Sequence, residues 1–242
     1  MWSFCLGFRD WYHNHLERCL GTLRTQHEPG LKYEILVCDS SQDPDAQVEQ
    51  LCHKFGAIYV PNPEEEWSRS IALNVAARVA LGERLVFTDA DMLFPQNWIY
   101  RANYEIALRP TVNLWLTLSR DCEQGTRYPE PPILPEDLWR LSWPHPGGKR
   151  GKGGGMIIPR DWFFTVGGFD EFYKIWGCED EDLTDRAEWD GQKVEWLEGT
   201  FIAHQWHTRN WPTPEQFQQV ARNREYYYRL KEQGGPVHRN GR

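Results

Sequence analysis

No CxxC pair occurs in this chain, no basic stretch followed by an apolar run opens it, and no run of about 18 apolar residues interrupts it. These absences argue against a zinc ribbon, a secretory leader and a membrane-spanning helix. The six cysteines are Cys5, Cys19, Cys38, Cys52, Cys122 and Cys178. Four fall inside apolar periodic segments, where free Cys behaves as a small hydrophobe. All six are expected to be reduced thiols, which places the protein in the cytoplasm. Positive charge is also in deficit: 27 Lys and Arg face 35 Asp and Glu, a formal net charge of −8. A general nucleic-acid binder carries the opposite sign, so no nucleic-acid partner is expected. An anionic ligand would need a metal or a few local cations to offset that field. There is no internal repeat and no clean linker, which favours one domain.

What is present suits a globular chain of 242 residues with a proper core: 40% of the residues are hydrophobic and 26% charged. Thirteen tryptophans are many; Trp fills cores, but it also makes flat walls for sugars and bases. Over the first 120 residues, short apolar runs alternate with helical patterns. Strands are expected at 2–6, 33–39, 57–60 and 84–89, and helices at 11–26, 44–55 and 68–81, with Pro44 in a tolerated first-turn position and Ser68 at an N-cap. Such alternation with continuous apolar strands predicts an α/β fold around a parallel sheet, whose ligands gather at the carboxyl ends of the strands. A further strand is expected at 111–119. Residues 121–155 are rich in Pro and Gly and read as a long surface loop or a lid. "MIIP" then predicts a strand, "RDWFFTVGG" a short helix ended by glycine, "CEDEDLTDRAEW" an acidic helix start, "KVEWLE" and "TFIAH" two strands, and residues 214–233 a polar-faced helix.

Four groups carry chemistry. Asp89 and Asp91 leave a buried strand in "FTDADMLFP"; two carboxylates so spaced either hold a hard cation such as Mn²⁺ or Mg²⁺ or decorate a solvated turn. Glu179, Asp180, Glu181 and Asp182 follow Trp176-Gly177. Acids at a helix start favour the macrodipole, yet four exceed what capping needs, and one could serve as a general base. His204 and His207 follow an apolar run and are either hydrogen-bonded structural residues or imidazole ligands to the same cation. Arg9 follows the first strand and Arg69 precedes the third helix; they are surface arginines or phosphate contacts.

In this order, a strand-end Asp39, "WSRSIALN", "FTDADMLFP", "GGGMIIPRDWFFTVGGFDEFYKIWGCEDEDLTDR" and a late His, the chain resembles a glycosyltransferase of the nucleotide-sugar GT-A fold. The first half resembles the large family 2 transferases. The second is similar to the C-terminal module of the beta-1,4-galactosyltransferases, also seen in bacterial chondroitin-type polymerases. The likeness spans about residues 3–218, and 153–186 is its most specific part. It implies a Rossmann-like single domain with a mixed, mostly parallel central sheet flanked by helices. Residues 1–120 would be its donor-binding half and 121–242 its acceptor and catalytic half.

The activity implied is metal-dependent, inverting transfer from a nucleoside-diphosphate sugar, foremost UDP-Gal, UDP-GalNAc or UDP-Glc, to a carbohydrate or other hydroxyl acceptor. By position, Asp39 would hold the uracil ring, and Phe8, Arg9, Trp67 and Arg69 would line the nucleotide and its phosphates. Asp89 would touch the ribose or the metal's waters. Asp91 and His204 would bind Mn²⁺ or Mg²⁺, Trp176 would touch donor and acceptor sugars, and Glu179-Asp180 would supply the base. Three departures stand out. Phe201 replaces a methionine that binds metal in some vertebrate relatives, which makes His207 a candidate ligand. Cys178 replaces a common glycine, and Trp11 a common basic residue. Segments 147–155 and 205–213 are candidate lids over the donor. The alternatives are a catalytically silent glycan-binding module on the same scaffold, and a nucleotidyltransferase. The latter would show a Gly-rich phosphate loop after the first strand, which "GFRDWYHNH" is not.

Overall fold

Each early apolar run forms a strand and each amphipathic stretch the helix that carries the chain back. The computed structural model describes residues 1–10, 13–43, 46–144, 152–208 and 213–240. In it β1 (Trp2–Phe8), α1 (His13–Arg24), β2 (Tyr33–Asp39), α2 (Ala46–Phe55), β3 (Ile58–Pro61), α3 (Arg69–Val79) and β4 (Arg84–Asp89) succeed one another. The strand pairs β1–β2, β1–β4 and β2–β3 are parallel, as helical crossovers require. Their register sets Phe8 beside Asp39 and Gly7 beside Asp89. The carboxylates that end β2 and β4 therefore share one edge of the sheet.

The chain continues through β5 (Met92–Leu93), α4 (Trp98–Leu108), β6 (Leu114–Cys122), α5 (Pro135–Leu141), β7 (Ser142–Pro144), β8 (Gly155–Pro159), α6 (Arg160–Thr165), α7 (Glu179–Trp189), β9 (Val194–His204) and α8 (Pro214–Gln233). The strands form one sheet in the order β3-β2-β1-β4-β8-β6-β9-β5, with β7 on β6. β8 runs antiparallel to both β4 and β6, and β5 antiparallel to β9, while β6 and β9 are parallel. The sheet is therefore mixed, and β8 joins its early and late strands.

Alternation along β1 sorts the core into two layers. Phe4 and Leu6 pack with Leu16, Leu20 and Trp98 of α1 and α4. Cys5, on the other face, packs with Leu73, Ala76 and Ala77 of α3 and with Phe87 and Phe163. All six cysteines are free, five of them buried. Burial raises the thiols of Cys38, Cys52 and Cys122 to about 12, which keeps them inert at neutral pH.

Several elements differ from the sequence expectation. The two strands expected at 193–198 and 200–204 are one, β9. The amides of Glu198 and Gly199 donate to the Glu105 carboxylate of α4, and the register against β6 shifts between Leu116 and Leu118, so the interruption is a bulge and not a turn. The stretch 121–155, expected as loop or lid, contains α5 and β7, anchored by the buried Leu138. The strand expected at 111–119 lies at Leu114–Cys122. Pro44, Trp11 and parts of both candidate lids lie outside the described residues. None of the described helices is long and apolar enough to cross a membrane.

Candidate functional site

At the end of β4 the chain passes from Asp89 through Ala90 to Asp91 and enters β5. Met92 pairs with His204 across the β5–β9 ladder, and the amide of Gln205 donates to the Asp91 carbonyl at 3.0 Å. Sheet register thus carries an imidazole from the late chain to the early acidic pair. Asp91 Oδ2 lies 3.3 Å from His204 Nε2 and 3.4 Å from His207 Nε2, and the two Nε2 atoms are 3.2 Å apart. One ligand atom from each residue falls within 4.8 Å of the others, a spacing that suits one cation. Asp91 Oδ1 is buried with no hydrogen-bond partner, a costly state that a metal would relieve. One carboxylate and two imidazoles suit Mn²⁺ better than Mg²⁺, which prefers oxygen alone. Phe201 cannot ligate; it packs on Trp139 and Arg120.

Behind His204, Asp121 Oδ1 lies 3.5 Å from Nδ1, the carboxylate–imidazole arrangement that orients a metal-binding histidine. Burial alone would lower the His204 pKa, but hydrogen bonds to Asp121 and Asp91 outweigh it and raise the group to about 10. Burial would likewise raise Asp91; hydrogen bonds from His204 and His207 hold its carboxyl well below the usual range instead. In the absence of a cation, His204 therefore carries a proton in its place.

A second cluster adjoins the first through Asp89. Ser68 caps α3, its hydroxyl accepting from the Ile71 amide and donating to the Tyr173 carbonyl. This places Arg69 in the first turn, pointing at the sheet edge. Its Nε donates to Asp89 Oδ1 at 2.7 Å and its Nη2 to the Gly153 carbonyl at 2.6 Å; Nη1 stands 3.5 Å from Glu179 Oε1 and is buried without a hydrogen bond. Burial and the neighbouring Asp180 charge raise Glu179 to about 7, against the pull of Arg69. Burial, then a hydrogen bond to Asp180, raises Glu181 to about 8. Asp180 moves the other way: burial is outweighed by the bond to Glu181 and the charge of Arg69, so its pKa falls. Of these three carboxylates, Asp180 is the one whose pKa is lowered. Gly153 makes room for it, since a Cβ there would stand 3.0 Å from Asp180 Oδ2.

The loop before α7 is tightly wound. Ile175, Gly177 and Cys178 have φ values of 64°, 102° and 74°. For a β-branched residue such as Ile175 this region is strained, at a cost of roughly 1–3 kcal/mol. Trp176, 46% exposed, rides on this loop, and the Ile175 amide donates to the Trp67 carbonyl at 2.8 Å. Trp67 itself lies over β1, its ring 3.1 Å from where a Cβ of Gly7 would stand.

Sequence reasoning names residues that the fold places differently. Phe8 is only 2% exposed and packs against the His13 ring, so it belongs to the core. Asp39 stands at the expected edge but is fully buried: Oδ1 accepts from the Ser41 amide and hydroxyl, and Oδ2 from the Tyr59 hydroxyl at 3.1 Å. Arg9 donates from Nη2 to the Glu65 carbonyl and keeps Nη1 buried without a partner. Asp121, beside His204, is not among the residues the sequence singled out. Asp121 follows an apolar strand as Asp39 and Asp89 do, and that repeated signal could have found it. A cavity of about 280 Å³, lined among others by His15, Arg18, Tyr128 and Trp206, opens beside the histidines.

Residues 13–163 match the sequence profile described as glycosyl transferase family 2, and residues 144–208 that of the N-terminal domain of galactosyltransferase. The chain is 29% identical over 179 residues to N-acetylgalactosaminyltransferase 4 of Drosophila melanogaster, covering 64% of this chain and 27% of that protein. It thus spans about a quarter of that relative's length. Among solved structures, GalNAc-T7 with UDP, GalNAc and Mn²⁺ superposes with a TM-score of 0.68 at 18% identity, over 98% of this chain and 52% of the other. Mannosyltransferase PcManGT from Pyrobaculum calidifontis, in complex with GDP-Man and Mn²⁺, gives 0.63 at 18% identity, over 98% and 72%. At such identity these two likenesses establish the shared fold, which is that of GT-A glycosyltransferases.

Proposed function

The chain belongs to glycosyl transferase family 2, and from that premise we propose that it moves a sugar from a nucleoside-diphosphate donor to an acceptor hydroxyl. The observation that carries the reading is the convergence of Asp91, His204 and His207 on one point beside the Arg69–Asp180 cluster. A divalent cation held by those three residues, Mn²⁺ by the character of its ligands, would supply positive charge to the leaving diphosphate. Arg69 Nη1 and Arg9 Nη1, both buried and without hydrogen-bond partners, would donate to phosphate oxygens. Asp180 accepts the proton of the attacking hydroxyl, and Arg69 keeps it ionised until then. Asp89 accepts from Arg69 and so orients the guanidinium, and it would touch the ribose or the metal's waters.

We assign a UDP-sugar donor. Asp39 offers only acceptors, which match the N3–H of uracil once Tyr59 yields its place. The relatives named N-acetylgalactosaminyltransferases favour GalNAc among UDP-GalNAc, UDP-Gal and UDP-Glc. We take the transfer to be inverting, with Asp180 as its one base. Residues 1–120 would hold the donor and 121–242 would supply the base and the acceptor side. Trp176 offers an exposed ring to either sugar. Six free thiols suit a reducing compartment such as the cytoplasm.

The test is UDP release from a panel of UDP-sugars with Mn²⁺ and candidate acceptors, with the anomeric configuration of the product read by NMR. Release is expected with at least one donor. Asp180→Asn should lose roughly 100-fold or more in kcat while binding donor nearly as well. No release with any donor, or normal turnover by the Asn variant, would remove the reading.

A further inference from the structure

The Trp176 loop is fixed from the far end of the chain. Asn223, fully buried on α8, donates through Nδ2 to the carbonyls of Lys174 at 2.7 Å and of Trp176 at 3.1 Å. Its Oδ1 accepts from Gln219 Nε2 at 3.1 Å. That third bond sets the amide's orientation, because a flipped amide would place oxygen against both carbonyls. The two carbonyls flank Ile175, the β-branched residue at φ 64°, whose own amide is taken by the Trp67 carbonyl. One backbone group on each of three successive residues is therefore anchored. Residues held in sparsely populated backbone regions persist only where their surroundings over-determine them. The same helix also grips both sides of the loop: Tyr226 stacks on Phe172 at 3.9 Å, and Tyr227 donates to Asp185 Oδ2 at 2.8 Å.

We propose that Asn223 is a positioning residue for transfer: it holds Trp176, and through the loop the start of α7 with Asp180, in the geometry that receives the acceptor. This rests on the transferase reading above, because the loop serves an acceptor only if a sugar is moved. The candidate metal ligands lie just before β5, at the end of β9 and just after it, and none of them bonds to Asn223. The effect of losing it should therefore divide cleanly between the two.

Asn223→Asp keeps the shape and removes both donors; Asn223→Ala removes the group. For both, kcat is expected to fall and the acceptor KM to rise, together about tenfold in kcat/KM, with the Mn²⁺ Kd within about twofold of the parent. A second readout needs no turnover. Trypsin cuts after Lys174 only when that carbonyl is released, so cleavage of the Lys174–Ile175 bond should quicken about tenfold in both variants while the thermal transition stays cooperative. Should they fail to fold, Gln219→Ala, which frees the amide to turn, is expected to quicken the same cleavage about threefold. Parental cleavage rates in folded variants, or a Mn²⁺ Kd that moves as far as kcat/KM, would overturn the proposal. A parent chain that releases no UDP would sink the transferase reading alone, since the proteolysis still decides whether Asn223 holds the loop.

Discussion

Arg69 and His204 are two cations of opposite lability. Arg69 never yields its proton, whereas His204 does so when a metal arrives. Because the folded-state pKa of His204 is raised from 6.5 to about 10, its contribution to stability is complete below about pH 6.5 and is lost as the pH rises through 10. The melting temperature of the metal-free chain should therefore decline between pH 6.5 and 9, while Mn²⁺ affinity rises over the same range as the cation competes with fewer protons. Calorimetric titration in buffers of different ionisation enthalpy should register a proton released on binding. His204→Gln should flatten the stability slope, and an unchanged slope in that variant would contradict the assignment. At this scale the sequence offered His204 as a candidate ligand through family order and His207 through the loss of a methionine at Phe201. Nothing local in "AHQWHTRN" tells a ligand from a structural histidine. The information lies in the Met92–His204 register, which no short window contains.

The glycines that open β8 act through what they lack. A Cβ on Gly155 would stand 2.9 Å from Ile202 Cδ1 and 3.0 Å from Thr117 Cβ, inside the packed junction of β8, β6 and β9. Gly155→Ala should cost about 1–3 kcal/mol by overpacking, read as a lower denaturant midpoint at constant m-value. Gly153→Ala should do its harm differently. Its neighbour is a carboxylate, so kcat should fall more than stability, as the assay of UDP release would register. Elements proved legible where one force dominated. The strands at 33–39 and 84–89 have the expected bounds, each built around an uninterrupted apolar centre, 35–38 and 85–87. α4 escaped notice because Tyr100 and Tyr104 face solvent and blur its periodicity. β5, two residues long, has no period to detect and exists through its pairing with β9. α5 starts on a proline inside a proline-rich stretch, where composition pointed to loop.

For the whole molecule, a net charge of −8 favours the approach of a cation to the acidic edge of the sheet. Mn²⁺ with UDP at about a hundredfold over Kd adds about 2.7 kcal/mol of apparent stability, which for a chain of this size is a shift of roughly 5–10 °C in melting temperature. A chelator should reverse it, and Asp91→Ala should abolish it. Legibility at this scale was mixed. Alternating strands and helices announced the parallel start, since crossovers of that kind permit little else. The reversal at β8 was not announced, because antiparallel entry depends on which strand edge remains free when the chain returns.

The clasp between β5 and β9 also has a consequence for how the protein is made. A ribosome delivers Asp89, Asp91 and Arg69 long before it delivers either imidazole. A nascent chain halted short of Val194 already displays the acidic pair, yet has nothing with which to close it around an ion. The three-residue cluster therefore forms only once the chain has extended past His207, however early its carboxylates emerge.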